Sequence, residues 1–326
     1  MFLLLSLSLC LSLLLTSASP TKSPRSLVLW HGLGDSHSSP GMLEFQEMIK
    51  QVHPGIFIHS IFIEEDLDKD RQAGFYGNVN VQLEQVAEQL AGIPELQNGF
   101  DAIGFSQGGQ FLRAYVERYN TPPIHNLITF GSQHMGVSDI GKCRQFDVLC
   151  QIARRATKAA VYSEWAQENF IQAQYFRDPA QLPKYLEVNK FLTSINNEIP
   201  ETRNEAYAQN LASLEHLVLI LFTNDRTVVP KESAWFGSEF IEDEDLDLEY
   251  HDETQQEVVG SQSTSVRTVD RTTIPMHLQP LYTEDWIGLR TLDERGGVIF
   301  DACEGEHMQI GECWERLVRQ WTGSLV

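Results

Sequence analysis

Gly104-Phe105-Ser106-Gln107-Gly108, with Gly109 directly behind it, decides how this chain is read. Glycines on both sides of the serine let neighbouring backbones pack around a strained turn, and such a turn presents a nucleophile. The flanks give the turn its context. Phe100-Asp101-Ala102-Ile103 reads as a short buried strand, and Gln110 to Tyr119 reads as an amphipathic helix. Strand, tight serine turn and helix together lift the pattern above a Gly/Ser turn that merely caps a helix.

Outward from the turn, further apolar runs have the length of buried strands. Ser26 to Trp30 leads into His31-Gly32-Leu33-Gly34-Asp35, and Gly55 to Ile63, Leu127 to Phe130, Leu217 to Phe222 and Val298 to Phe300 follow. Between them lie helical patterns, as in Val79 to Leu90, where Val79, Leu83, Val86 and Leu90 recur at helical spacing. Strands alternating with helices predict an α/β fold with a mostly parallel sheet. The alternation lapses over 136–215, which carries helical patterns at Cys150 to Glu168 and Asn204 to Leu214 and reads as a helical insertion covering the carboxyl ends of the sheet.

A serine hydroxyl is a poor nucleophile near neutrality, so Ser106 needs an imidazole to take its proton and a carboxylate to orient that imidazole. Chain order selects among ten histidines: nucleophile, then acid, then histidine, each on a loop after a core strand. Asp225 follows the run ending at Phe222, and His307 follows the run ending at Phe300. Asp139 comes too early, Asp301 sits at a strand end close to His307, His251 lies in an acidic run, and His277 has no preceding strand. Read singly, Asn224-Asp225 is equally an Asx turn and His307 a surface residue. Read together with Ser106, they form a triad. For the oxyanion, Gln107 supplies one backbone N–H and Leu33, between Gly32 and Gly34, the other; Gly104 and Gly108 support the turn.

Composition sets the setting. The chain has 326 residues, 42% of them hydrophobic, enough for a substantial core. Its net charge of −21 argues against nucleic acid and anionic surfaces as partners. Much of that charge lies in a stretch from Glu239 to Glu253 without Lys or Arg, so 240–271 reads as a solvated acidic insertion. Its spacing lacks the rhythm of a calcium loop. Phe2 to Leu15 followed by Thr16-Ser17-Ala18-Ser19 reads as a signal peptide over 1–19, leaving one domain over 20–326, and no later run is long enough to span a bilayer. Cys10 leaves with that peptide. Cys143 with Cys150 and Cys303 with Cys313 are the simplest of three disulfide pairings in an oxidising compartment, and C-x-x-C pairs for zinc are lacking. No N-x-S/T sequon is present.

Longer motifs extend these readings. W-H-G-L-G-D-S at Trp30 to Ser36, N-V-N at Asn78 to Asn80, G-F-S-Q-G-G-Q-F-L-R-A at Gly104 to Ala114, G-S-Q-H-M-G-V at Gly131 to Val137, L-Y-T-E-D at Leu281 to Asp285 and E-G-E-H at Glu304 to His307 occur in order. In these the chain resembles the palmitoyl-protein thioesterase family from about Leu27 to Leu317. The resemblance implies an α/β-hydrolase whose helical insertion forms part of an acyl-chain groove. It implies nucleophile, acid and base at Ser106, Asp225 and His307, S-palmitoylated proteins or peptides as substrates, and no metal or organic cofactor. It also implies a lysosome or vacuole as destination, with plain secretion as the alternative. Of the cysteine pairs, Cys143 with Cys150 is the one the family shares, while Cys303 and Cys313 are additional. An esterase or lipase acting on oxygen esters and a non-catalytic acyl-chain-binding protein are the competing readings.

Overall fold

The computed structural model describes residues 23–139, 160–241 and 271–324. The stretch read above as a signal peptide, Cys143, Cys150 and the interior of the acidic insertion lie outside the described residues.

Six parallel strands form the central sheet in the order β2-β1-β3-β4-β5-β8. They are β1 (Leu27–Trp30), β2 (Ile58–Ser60), β3 (Phe100–Phe105), β4 (Ile124–Phe130), β5 (His216–Phe222) and β8 (Val298–Cys303). The inner strands are apolar almost throughout because both of their faces are buried. Side-chain alternation divides them: Val28, Trp30 and Ala102 face one core, while Leu27, Leu29, Ile103 and Phe105 face the other. On the first face lie α3 (Val79–Ala91) and α4 (Gln107–Arg118). On the second lie α1 (Pro40–Val52) and the C-terminal helix Cys313–Trp321, through Phe45, Ile49, Leu317 and Val318.

The chain leaves β1 for the edge strand β2 and then returns across β1 to β3. Loops after β1 and β3 therefore diverge to opposite faces, opening a crevice at their carboxyl ends, the usual ligand position in an open α/β sheet. With the serine turn between β3 and α4, this is the α/β-hydrolase architecture. Between β4 and β5 the described residues form α5 (Glu164–Asn169), α6 (Ile171–Gln174), α7 (Leu182–Val188), α8 (Leu192–Ile195) and α9 (Glu205–Ala212). A buried cation docks this group onto α4. The Arg113 guanidinium pairs with Glu117 at 3.1 Å and donates to His134 O at 2.9 Å and to Asn196 Oδ1 at 3.0 Å.

Three sequence expectations need correction. The run Gly55 to Ile63 yields only three residues of strand, because the N–H groups of Ile63 and Glu64 turn aside to donate to Asp70 Oδ1 at 2.8 and 3.4 Å. The ends of the acidic insertion are not all solvated coil, since β6 (Ser238–Ile241) pairs antiparallel with β7 (Arg271–Ile274). That ribbon also gives His277 a preceding strand, though one outside the main sheet.

Asp70, on helix α2 (Leu67–Ala73), is fully buried and organises the loop after β1. Its Oδ2 accepts from His37 N at 2.9 Å, lies 3.0 Å from His37 Nδ1 and 3.1 Å from His31 Nε2. These donors outweigh the cost of burial, the largest single influence, and hold the carboxyl well below the usual carboxylate range. A carboxyl depressed in this way stabilises the fold above its unfolded-state pKa of about 3.9 and loses that contribution as pH falls below it. Asp70→Asn turns an amide donor toward groups that need an acceptor, with an expected loss of about 3 kcal/mol, in the range for breaking a buried pair. Urea unfolding at stepped pH should show that deficit constant from neutrality to about pH 5 and narrowing below about pH 4; an unchanged deficit at pH 3 would refute the assignment.

Candidate active site

The serine turn is held by contacts that no side chain could share. A Cβ on Gly104 would run into the backbone of Gly109, so β3 and the first turn of α4 touch directly. One on Gly108 would meet the carbonyl oxygens of Trp30 and His31, which brings α4 against the end of β1. Ser106 sits between them at φ 52°, ψ −122°, a conformation that costs a non-glycine residue about 1–3 kcal/mol. Its N–H donates to Phe130 O at 2.8 Å, tying the turn to β4.

His307 Nε2 lies 3.0 Å from Ser106 Oγ, and His307 Nδ1 lies 2.6 Å from Asp225 Oδ2. The three residues are 82 and 201 positions apart in their pairwise contacts, so the sheet brings them together. β5 and β8 are neighbours in register, Phe222 opposite Cys303. Beyond the strands the backbone pairing continues, with Thr223 N donating to Cys303 O at 3.0 Å and Asn224 N to Gly305 O at 2.9 Å. Asp225 and His307 thus leave the sheet side by side. The Asx turn at Asp225 is present and compatible with its contact to His307: Oδ1 accepts from Thr227 N at 2.8 Å and Val228 N at 3.0 Å, leaving Oδ2 for the imidazole. A disulfide between Cys303 and Cys313, Cα atoms 5.8 Å apart, closes the loop that carries His307.

Leu33 and Gln107 flank the serine. A Cβ on Gly32 would come within 3.2 Å of Ser106 Cβ, so the peptide leading to Leu33 lies against Ser106. Gly34 holds the turn beyond it at φ +78°. Gln107 begins α4, where a backbone N–H has no intrahelical acceptor. Its side chain is clamped from two sides: Nε2 donates to Gly74 O at 3.2 Å, and Oε1 accepts from Tyr175 Oη at 3.2 Å. Sequence reasoning missed this clamp, along with His31, Asp70 and Tyr175, because nothing local in the sequence pairs residues so distant. The rejected acid candidate Asp301 has other work, pairing with Arg316 at 2.7 Å. His134 is buried, lies 3.0 Å from Thr129 Oγ1 and has its pKa held well below the usual range, chiefly by burial.

Around Ser106 and His307 opens a cavity of ≈ 1230 Å³, larger than the ~300–1,000 Å³ of most small-molecule sites. One wall comes from the helices after β4: Val161, Ala166, Phe170, Ala173 and Phe176. The other comes from α1 and the C-terminal segment: Met42, Phe45, Met48, Ile310 and Trp314. Two apolar walls of this kind suit a long hydrocarbon chain, with Asp35, Gln133, Asp139 and Gln172 as further polar lining. Among the described residues no cluster of His, Cys, Asp and Glu could hold a metal ion, and no helix is long and apolar enough to cross a membrane.

Comparison with known proteins agrees with this geometry. The family profile described as palmitoyl protein thioesterase matches residues 26–307. Palmitoyl-protein thioesterase 1 of Caenorhabditis elegans is 38% identical over 285 residues, covering 87% of this chain and 86% of the relative. Palmitoyl-protein thioesterase 3 of Dictyostelium discoideum is 32% identical over 308 residues, covering 92% and 90%. A lysosomal thioesterase PPT2 homolog of Drosophila melanogaster is 27% identical over 288 residues, covering 87% and 85%. With a profile match across most of its length and relatives matched nearly end to end, the chain belongs to the palmitoyl-protein thioesterase family.

Proposed function

We propose that this hydrolase removes long-chain fatty acyl groups from cysteine thiols of proteins or peptides, with Ser106 as nucleophile, His307 as general base and Asp225 orienting the imidazole. The observation that carries the reading is the hydrogen-bonded line Ser106–His307–Asp225 at the wall of an apolar cavity. His307 takes the Ser106 proton as Oγ attacks the thioester carbonyl, and the N–H groups of Leu33 and Gln107 receive the negative charge on oxygen. Collapse of the tetrahedral species breaks the C–S bond, and the cysteine thiolate leaves with the proton held by His307. Water, deprotonated by the same imidazole, then frees the fatty acid and restores Ser106. A thiolate is a better leaving group than an amide nitrogen, so the chemistry needs positioning and charge stabilisation rather than strong leaving-group assistance.

The acyl chain would lie along the wall formed by α5 and α6, where Ala166 and Ala173 leave room between Phe170 and Phe176. A secretory-pathway location, ending in a lysosome or vacuole or in secretion, is supported by the Cys303–Cys313 disulfide, a bond that persists in oxidising compartments.

Hydrolysis of a palmitoyl-cysteine peptide, run beside a palmitoyl oxygen ester, tests the reading. Ser106→Ala should lower kcat by about four orders of magnitude or more, and Asp225→Asn by about 10⁴-fold through loss of the required imidazole tautomer. Thioester cleavage unaffected by Ser106→Ala would discard the mechanism, and Ser106-dependent cleavage confined to the oxygen ester would discard the substrate class.

The cavity assignment has its own test. Ala173→Phe should reduce kcat/KM for the palmitoyl thioester by about tenfold or more while the butyryl thioester is cleaved at close to the wild-type rate, a loss of the size expected when one apolar subsite is closed. Equal losses on both chain lengths would mean that the acyl chain lies elsewhere.

A further inference from the structure

The buried pair beneath the oxyanion loop, His31 and Asp70, has no part in the mechanism above, yet its geometry is more specific than packing requires. His31 is 3% exposed and stands at the end of β1, immediately before the Gly32–Leu33 peptide. Its Nδ1 lies 3.0 Å from Gly32 O, and its Nε2 lies 3.1 Å from Asp70 Oδ2. A carbonyl oxygen can only accept, so Nδ1 carries a proton in this arrangement, with Asp70 beside the other ring nitrogen. Gly32 O also accepts from Asp35 N at 3.3 Å, so two donors converge on one carbonyl.

That carbonyl is one end of the peptide group whose other end is Leu33 N–H. Hydrogen bonds to a peptide oxygen draw electron density toward it and make the N–H across the same amide a stronger donor, since linked hydrogen bonds polarise one another. The peptide is also fixed in place, with Gly32 against Ser106 on one side and the ring on the other. We infer that His31 is a positioning residue for the oxyanion site: its Nδ1–H, donated to Gly32 O, orients and polarises the peptide that presents Leu33 N–H. Asp70 holds the ring from behind. The inference rests on Leu33 being an oxyanion donor, as proposed above.

The other groups facing this pair have different partners. His37, at the far end of the same loop, lies 3.0 Å from Asp70 Oδ2 through its own Nδ1. His59 on β2 bonds Gln89 at 2.9 Å and is held below its usual range, chiefly by burial and partly by His37. Asp35 is occupied by Ser36 N at 2.9 Å. Among these described side chains, His31 is the one that reaches the peptide beside Ser106.

Two substitutions separate positioning from packing. An asparagine amide nitrogen overlays histidine Nδ1, whereas a glutamine amide nitrogen overlays Nε2. His31→Asn keeps the donor to Gly32 O and gives up the contact with Asp70; His31→Gln does the reverse. Kinetics on the palmitoyl-cysteine peptide should show kcat of His31→Gln down by about tenfold with KM within about twofold, a fraction of the ~10²–10³-fold cost of losing a whole oxyanion donor. His31→Asn should recover most of that loss. The rate at which a fluorophosphonate labels Ser106, a reaction that builds charge on the same oxygen, should follow kcat across the three proteins. Equal losses in both variants, or a change confined to KM, would overturn the inference.

If wild type cleaves only the oxygen ester, the substrate class fails but the comparison runs on that ester and remains decisive. If wild type neither turns over nor is labelled, both readings fail. Should His31→Gln not fold, nitrogen-15 spectra of histidine-labelled wild-type protein decide. A buried ring with an exchange-protected proton on Nδ1 is expected, and its absence overturns the proposal.

Discussion

Close approach of backbones at the serine turn is the constraint on which the rest of the site depends. Ser106 occupies an unfavourable region of backbone space because β3, β4, the end of β1 and the first turn of α4 converge on it without intervening side chains at Gly104 and Gly108. The strain is small beside what surrounds it: every residue of β3 is buried, and so is nearly all of α4. Packing of those elements offsets the cost of one strained residue and fixes the direction in which Oγ points. The same convergence places the N-terminus of α4 and the Gly32–Leu33 peptide on either side of the oxygen where charge would develop.

The other two members of the proposed triad are positioned by a different device. Nothing in the loops after β5 and β8 is rigid by itself. They are held because two neighbouring parallel strands keep pairing after the sheet ends, through Thr223, Asn224, Cys303 and Gly305. Asp225 spends one carboxylate oxygen on its own loop and offers the other to His307, so its orientation is settled before the imidazole arrives. The disulfide adds a covalent limit on how far the His307 loop can open, one that holds whether or not the pairing frays.

Much of this was legible in the sequence, and for local reasons. A strand buried on both faces must be apolar throughout, so β1, β3, β5 and β8 announce themselves as runs. A turn without room for side chains must be glycine, so Gly104 and Gly108 mark the serine. Chain order then pointed to Asp225 and His307 among many carboxylates and ten histidines. What stayed hidden was set by distant partners. Asp70 looks like an ordinary helix carboxylate until the fold closes five nitrogens around it, two of which, Ile63 N and Glu64 N, turn the chain away at the end of β2. The β6–β7 ribbon escaped notice because its strands flank an acidic stretch whose composition masks them. Gln107 reads as a residue between two glycines; its clamp by Tyr175 and Gly74 joins three separate segments.

The site also solves a problem that an apolar cavity creates. A low-dielectric wall strengthens any dipole aimed at a developing oxyanion, but it equally penalises every charge left uncompensated nearby. Here two charges next to the site are paired. Asp225 faces the His307 imidazole, and Asp70 faces His31 and His37 beneath the loop. Asp35 and Asp139 also line the cavity, between its apolar walls. Because the donors around Asp70 lower its pKa against the cost of burial, that carboxylate charge persists in acidic surroundings. The loop presenting Leu33 therefore keeps its anchor over a wide pH range, and the burial that makes the cavity suitable for an acyl chain does not deprive the oxyanion site of its support.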